Sequence, residues 1–364
     1  GDYTVITGFE LDLEGYNSGI RLDGDHCQAT YNTIHNGSWW TLIDIGGDDC
    51  TASHNVVYDN YAGAAQDAAG IGTSGGIYRA TISYNTIYGM RGDGIIFDRN
   101  DGTAGVDYDG HVFEYNTIHI GSAGSNCCEG GIDVKRGSGI CRYNTIYNYR
   151  GTDQTCGGTG SNGEALFFHG ADCNTWAIYG NEVYNSTIGL WLTSGVEADV
   201  YQNVFHTMPA TDTNCSATGG VGVAIYILDG PTTVNLWNNT FLDCLGYTVW
   251  VSAATLNVYN NILKDCGNYK ESSSPTVTAD YNCWNGCSSK WEGAHDVTTD
   301  PKFTDEAGFD LTLQSDSDCI DAGTDVGLDY NGTAPDMGAF ETTPSSPPSS
   351  DDPAKGFLIL AYGS

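Results

Sequence analysis

Ten times along this chain an asparagine is followed, two residues later, by a large apolar side chain. The asparagines are Asn32, Asn55, Asn85, Asn116, Asn144, Asn181, Asn203, Asn239, Asn261 and Asn282, and the apolar partners run from Ile34 to Trp284. Four copies share the words YNTIH or YNTIY, starting at Tyr31, Tyr84, Tyr115 and Tyr143. Successive spacings are 23, 30, 31, 28, 37, 22, 36, 22 and 21 residues. A floor near 22 with longer values between marks a solenoid whose coils carry insertions of different length. A short strand with alternating apolar residues precedes each asparagine, as in GIRLDG at Gly19, GIIFDR at Gly94, GIDVKRG at Gly131 and GLWLTSG at Gly189. Two or three such strands per coil leave no room for helices. The pattern predicts an all-β parallel β-helix of about ten or eleven coils, each about 4.8 Å above the last. The asparagines would then stack and bond along a column, as in other in-register stacks. A residue repeated in every coil serves shape: it reads as a turn residue that satisfies buried carbonyls.

Composition narrows the partners. A net charge of −33 with only 13 basic residues excludes nucleic acid and anionic membrane surfaces. No run of about 20 apolar residues is present to span a bilayer. Thirteen cysteines suit an oxidising compartment, and a chain opening at Gly1 reads as a processed protein, extracellular or at the cell surface, or as a fragment of one. The repeat register offers pairings. Cys27 and Cys50 each lie five residues before their asparagines, and Cys244 and Cys266 five after theirs, so both pairs are predicted vertical neighbours. Cys283 and Cys287 would close a local loop, and none of the cysteines has zinc-site spacing.

The repeats from about Gly8 to Trp284 resemble right-handed parallel β-helix proteins of the pectate-lyase-like superfamily. The segment from Asp300 to Glu341 (DPKF, then DLTL, CIDAG, DVG and DMGAFE) is similar to the closing segment of many secreted bacterial β-helix proteins, which a surface anchor often follows. The resemblance implies the fold. It leaves function open, because the superfamily holds lyases, hydrolases, epimerases, adhesins and inert scaffolds.

Superfamily lyases use outward residues of one sheet, where carboxylates hold Ca²⁺ and a Lys or Arg removes the proton beside a uronate. In the stacked strands the first outward column reads Arg21, Asp44, Gly72, Ile96, Asp133, Phe167, Trp191, Tyr226, and the second includes Asp98, Lys135 and His169. Lys135, Arg136 and His169 are thus the catalytic candidates of a lyase. Asp98, Asp133 and Glu129 are its Ca²⁺ ligands, and Glu164 lies near them in sequence. Phe167, Trp191 and Tyr226 form a stripe on which a polysaccharide could stack. Mixed charges on an outward face are also what solvent alone would select, and no full lyase motif is present.

The sequence divides into a β-helix (1–290), a closing β module (291–341), a Pro/Ser linker (342–356) and a tail (357–364). The tail carries six β-prone apolar residues, Phe357, Leu358, Ile359, Leu360, Ala361 and Tyr362. Such a strand suits β-augmentation of an open sheet edge. The leading expectation is therefore a self-assembling filament or surface subunit, joined head to tail to copies of itself. A Ca²⁺-dependent uronate lyase is the alternative, and a carbohydrate-binding adhesin the third reading. Sequons at Asn36, Asn185, Asn214 and Asn331 are N-glycosylation candidates; a fifth, at Asn238, adjoins the asparagine column and is expected to be buried.

Overall fold

The computed structural model describes residues 3–15, 19–38, 40–60, 68–73, 76–97, 109–120, 130–150, 162–212, 218–228, 233–289 and 291–342. Asp98, Glu129, Asn214 and the tail strand Phe357–Tyr362 lie outside them. The chain is an all-β, right-handed parallel β-helix, and no helix occurs among the described residues. Ten full coils, one per asparagine, follow a partial first coil formed by Val5–Thr7 and Glu10–Asp12. Each coil has a front strand such as Thr41–Ile45, a middle strand such as Thr51–Ser53 and a back strand such as Val56–Asn60. The back strands form one 11-stranded sheet; front and middle strands are joined in a 19-stranded sheet.

The asparagine column holds the register. Asn144 illustrates it: its Oδ1 accepts from Asn116 N–H at 3.0 Å and Asn116 Nδ2 at 2.9 Å, while its own Nδ2 donates to Phe113 O and Asn181 Oδ1, both at 2.9 Å. The same set recurs from Asn32 to Asn282, and all ten side chains are buried. At the far end Asp296 takes the place of the next asparagine, accepting from Asn282 N–H at 2.9 Å. Two residues beyond each asparagine the apolar side chains, from Ile34 to Trp284, pack inward as one continuous core. Each fully buried branched side chain contributes roughly 1.5–3 kcal/mol.

The tight backbone belongs to the residue before the asparagine. Tyr31, His54, Tyr84, Tyr115 and Tyr143 have φ between 54° and 57°, a left-handed conformation that is costly for a side chain with a Cβ. Their rings compensate by stacking up the rod: centroids are 4.6 Å apart for Tyr31–His54, 4.9 Å for His54–Tyr84 and 4.7 Å for Tyr84–Tyr115. A second ladder runs along the back face from His35 through Tyr58, Tyr88, His119, Tyr147 and Tyr184 to His206, with centroids 4.7–5.3 Å apart.

Beyond the last coil Trp291 fills the core opening, stacked on Tyr269 at 4.4 Å and donating to Glu271 at 2.7 Å. The chain then turns back along the flank. Residues 299–342 cover the back face of the later coils, where Phe303, Leu311, Leu313, Cys319, Met337 and Ala339 pack on Val204, Leu242 and Ile262. Polar ties fix this segment: Lys264 Nζ bonds Asp300 at 3.0 Å and Glu306 at 2.6 Å, Asn238 donates to Asp336 O, and Phe309 stacks on His206 at 4.2 Å. Asn238 is buried, as its neighbours in sequence implied.

The cysteines depart in part from the expected pairing. Among the described residues all nine are free thiols. Cys27 and Cys50 are neighbours, the Cys27 N–H lying 3.3 Å from Cys50 Sγ, and Cys244 adjoins Cys266. Cys283 and Cys287 do not face each other. Cys283 points outward beneath the closing segment beside Cys319, whereas Cys287 sits under Cys266, because the two lie on opposite sides of the wall.

Two outcomes follow from these contacts. Asn144→Ala leaves two buried donors of Asn116 without an acceptor, so unfolding in urea should show a loss of about 2–4 kcal/mol; a loss below about 1 kcal/mol would contradict the column's role. In the closing segment, burial and the neighbouring Asp336 carboxylate push the Glu341 carboxyl up to about 7, despite hydrogen bonds from Asp336 and Asn331 N–H. A raised folded-state pKa means the native state holds this proton more tightly. Its contribution is therefore complete below the ordinary value of 4.5 and is lost as pH rises through about 7. Glu341→Gln should flatten that part of the thermal-stability profile between about pH 5 and pH 8.

Candidate functional site

The outward column of the front face has the order expected from the repeat. Registered pairs run Arg21–Asp44, Asp44–Gly72, Gly72–Ile96, Ile96–Asp133, Asp133–Phe167, Phe167–Trp191 and Trp191–Tyr226. The column continues past them to Trp250 and Lys270. Period-two alternation puts these side chains outside, since their neighbours Ile132, Val134, Leu166, Phe168, Leu190 and Leu192 fill the core.

Asp133 is the hub. Its side chain is buried, and its two oxygens take different partners: Oδ1 lies 2.9 Å from His169 Nε2 and Oδ2 lies 3.3 Å from Lys135 Nζ. With Nε2 donating to the carboxylate, His169 Nδ1 is the acceptor nitrogen when the ring is neutral. An ammonium paired to a carboxylate is suited to holding an anion and is a poor proton acceptor. Lys135 and His169 thus share one carboxylate, each on its own oxygen. Arg136 adds a second cation, paired to Asp172 at 3.2 Å. In a strongly acidic chain with only 13 basic residues, this places two cations side by side on the strand Gly130–Arg142.

The aromatic stripe is continuous but its faces are turned on one another. Phe167 is sandwiched between His169 at 3.9 Å and Trp191 at 4.5 Å; Trp191 meets Tyr226 at 5.2 Å, and Tyr226 meets Trp250 at 4.7 Å. Lys270 Nζ closes the far end, 3.4 Å from the Trp250 centroid. Tyr226 is only 3% exposed. Stacking on a sugar needs an open ring face, and Phe167 has His169 and Trp191 stacked on it. The geometry of the stripe instead fixes the His169 ring from one side while Asp133 fixes it from the other.

Two further carboxylates, Asp172 and Glu164, lie beside these residues. Gly130–Arg142 and Glu164–Tyr179 run unbroken through front and middle faces, with register shifts between Val134 and Arg136 and between Gly137 and Gly139. Those shifts carry Asp172 opposite Arg136, which plain alternation could not reveal. Glu164 registers with Gly130 at the edge of the site, where burial pushes its carboxyl up to about 7. The signal for it was a carboxylate immediately before an unbroken apolar strand.

Asp98 and Glu129 lie outside the described residues, Asp133 spends both oxygens on Lys135 and His169, and no cluster of three or more possible ligands occurs among the described residues. The sequon asparagines are scattered: Asn36 is exposed, Asn331 is half-buried, and Asn185 has both amide atoms engaged, with Asn148 and Arg150.

No family model matches the chain, and no curated protein matches it in sequence. A crystal structure of the pectate lyase Pel9A does match in shape, with a TM-score of 0.54 over 90% of this chain and 96% of that one, at 14% identity. The fold is shared with a pectate lyase. At that identity the likeness speaks for the β-helix and not for the residues of the site.

Proposed function

We propose that this chain is an exported β-helix protein that acts on an acidic polysaccharide at the front face of its fifth and sixth coils. The observation that carries the reading is the buried Asp133, which ties a lysine and a histidine together on an otherwise cation-poor surface. Lys135, with Arg136 beside it, would pair with a uronate carboxylate and stabilise the charge that builds on it. His169 Nδ1 would take the proton on the carbon next to that carboxylate. The C–H electron pair forms the ring double bond, the glycosidic C–O bond breaks, and the leaving oxygen takes a proton from solvent. The fold of a pectate lyase supports the reading at the level of architecture.

The purified chain, given a panel of uronate-bearing polymers with and without Ca²⁺, should release unsaturated ends detectable by ultraviolet absorbance. His169→Ala and Lys135→Ala should each slow release by about 10²–10⁴-fold. Absence of unsaturated product from every polymer would remove the lyase reading.

A self-assembling subunit is the second reading. It rests on the six β-prone apolar residues that follow the Pro/Ser linker, a composition suited to β-augmentation. Its proposed donor strand is Phe357–Tyr362. Sedimentation should then show oligomers that dissociate when residues 343–364 are deleted; a monomer at high concentration with those residues present would exclude it.

A further inference from the structure

Next to the candidate site lies a second, differently charged hollow. A cavity of about 480 Å³ is lined by Asp109, Ser138, Asn174, Thr175, Gly195 and Glu197. It is continuous with the site through the backbone. Ser138 follows Lys135 and Arg136 on the strand Gly130–Arg142, and Asn174 and Thr175 follow His169 and Asp172 on Glu164–Tyr179. Lys135 and Ser138 are three residues apart, on either side of Gly137, whose φ of 83° turns the strand there. The Arg136–Asp172 pair at 3.2 Å stands between the two. The next coil lines one side of this open hollow, since Thr175 registers with Glu197. On the other side Ser138 Oγ donates to Asp109.

The chemistry of the walls changes over this distance. The site presents Lys135 and Arg136, whereas the hollow presents hydroxyls, an amide and two exposed carboxylates, Asp109 and Glu197. Those carboxylates accept hydrogen bonds from sugar hydroxyls and repel a second uronate. A homopolymer of uronate would have to place a carboxylate in each, gaining in one and losing in the other.

We infer that the cavity is a subsite for a neutral sugar, so that the ligand is a polysaccharide in which a uronate adjoins a neutral, hydroxyl-rich unit. This rests on the acidic-polysaccharide reading of the Asp133 site and narrows it from polyuronates in general to mixed polymers.

The test is calorimetric binding of two oligosaccharide sets to the full chain, one purely uronate and one alternating uronate and neutral hexose. Product release from each is measured in parallel. The alternating set should bind at least about tenfold more tightly. Asp109→Asn with Glu197→Gln, both at exposed positions, should raise affinity for the uronate set by about tenfold, because the repelling charges are gone. Asn174→Ala should weaken only the alternating set. Equal binding of the two sets by the unaltered chain would overturn the inference. So would uronate binding that strengthens with Ca²⁺ and is lost in the Asn/Gln double variant, since the hollow would then be a cation-bridged uronate site. Selective binding without product from either set would leave the subsite standing and remove the lyase step instead.

Discussion

The asparagine amide, repeated once per coil, is the contact on which the rest of this rod depends. Its oxygen accepts two donors from the coil before and its nitrogen reaches two acceptors, so each coil is bonded to its neighbours by side chain as well as by backbone. A one-residue slip in any coil would break that set and turn the inward residue two places on, such as Ile146, towards solvent. Register is therefore specified twice over. That rigidity lets insertions of very different length leave the coils without disturbing the side chains stacked above and below them.

Fixed register turns the outer surface into a set of columns whose composition reports what covers them. On the back face, the positions one and three residues past the asparagine read Thr86 and Tyr88, Thr117 and His119, Thr145 and Tyr147 in the early coils. In the later coils they become Val204, Thr240 and Leu242, Ile262 and Lys264, and Cys283. The change coincides with the closing segment, whose apolar side chains and carboxylates meet those residues. The stacked rings give way to aliphatic residues where the flank is covered, and Phe309 ends the ladder on His206.

Much of this could be read from the residues alone, because a repeat supplies its own alignment. The asparagines counted the coils, and alternation placed Asp133, Lys135 and His169 on one outward patch next to Phe167 and Trp191. What escaped was of a different kind. Tyrosines in a left-handed turn oppose the usual propensity, and only the ring ladder shows why they are tolerated. The course of residues 299–342 depends on which existing surface is apolar, a property of the assembled coils. Cys283 and Cys287 are close in sequence but separated by the wall of the helix, so proximity along the chain misled. Which oxygen of Asp133 Lys135 and His169 each meet is a matter of side-chain rotamers, which spacing does not report.

The irregular coils explain where chemistry can occur in so regular a fold. Identical coils would present identical columns, and a catalytic constellation needs unlike residues brought together once. Coils five and six break the pattern: their front and middle strands fuse into Gly130–Arg142 and Glu164–Tyr179, and two register shifts bend the wall. Before the first shift lies the Asp133 hub, and beyond it lies the polar hollow at Ser138 and Asn174. Regular coils on either side hold the two ends of this bend in place, so the spacing between cationic site and carboxylate-lined hollow is set by the rod itself. A ligand long enough to span both must match that spacing and the change of charge along it. On the proposed reading, selectivity would follow from the bend rather than from any single contact.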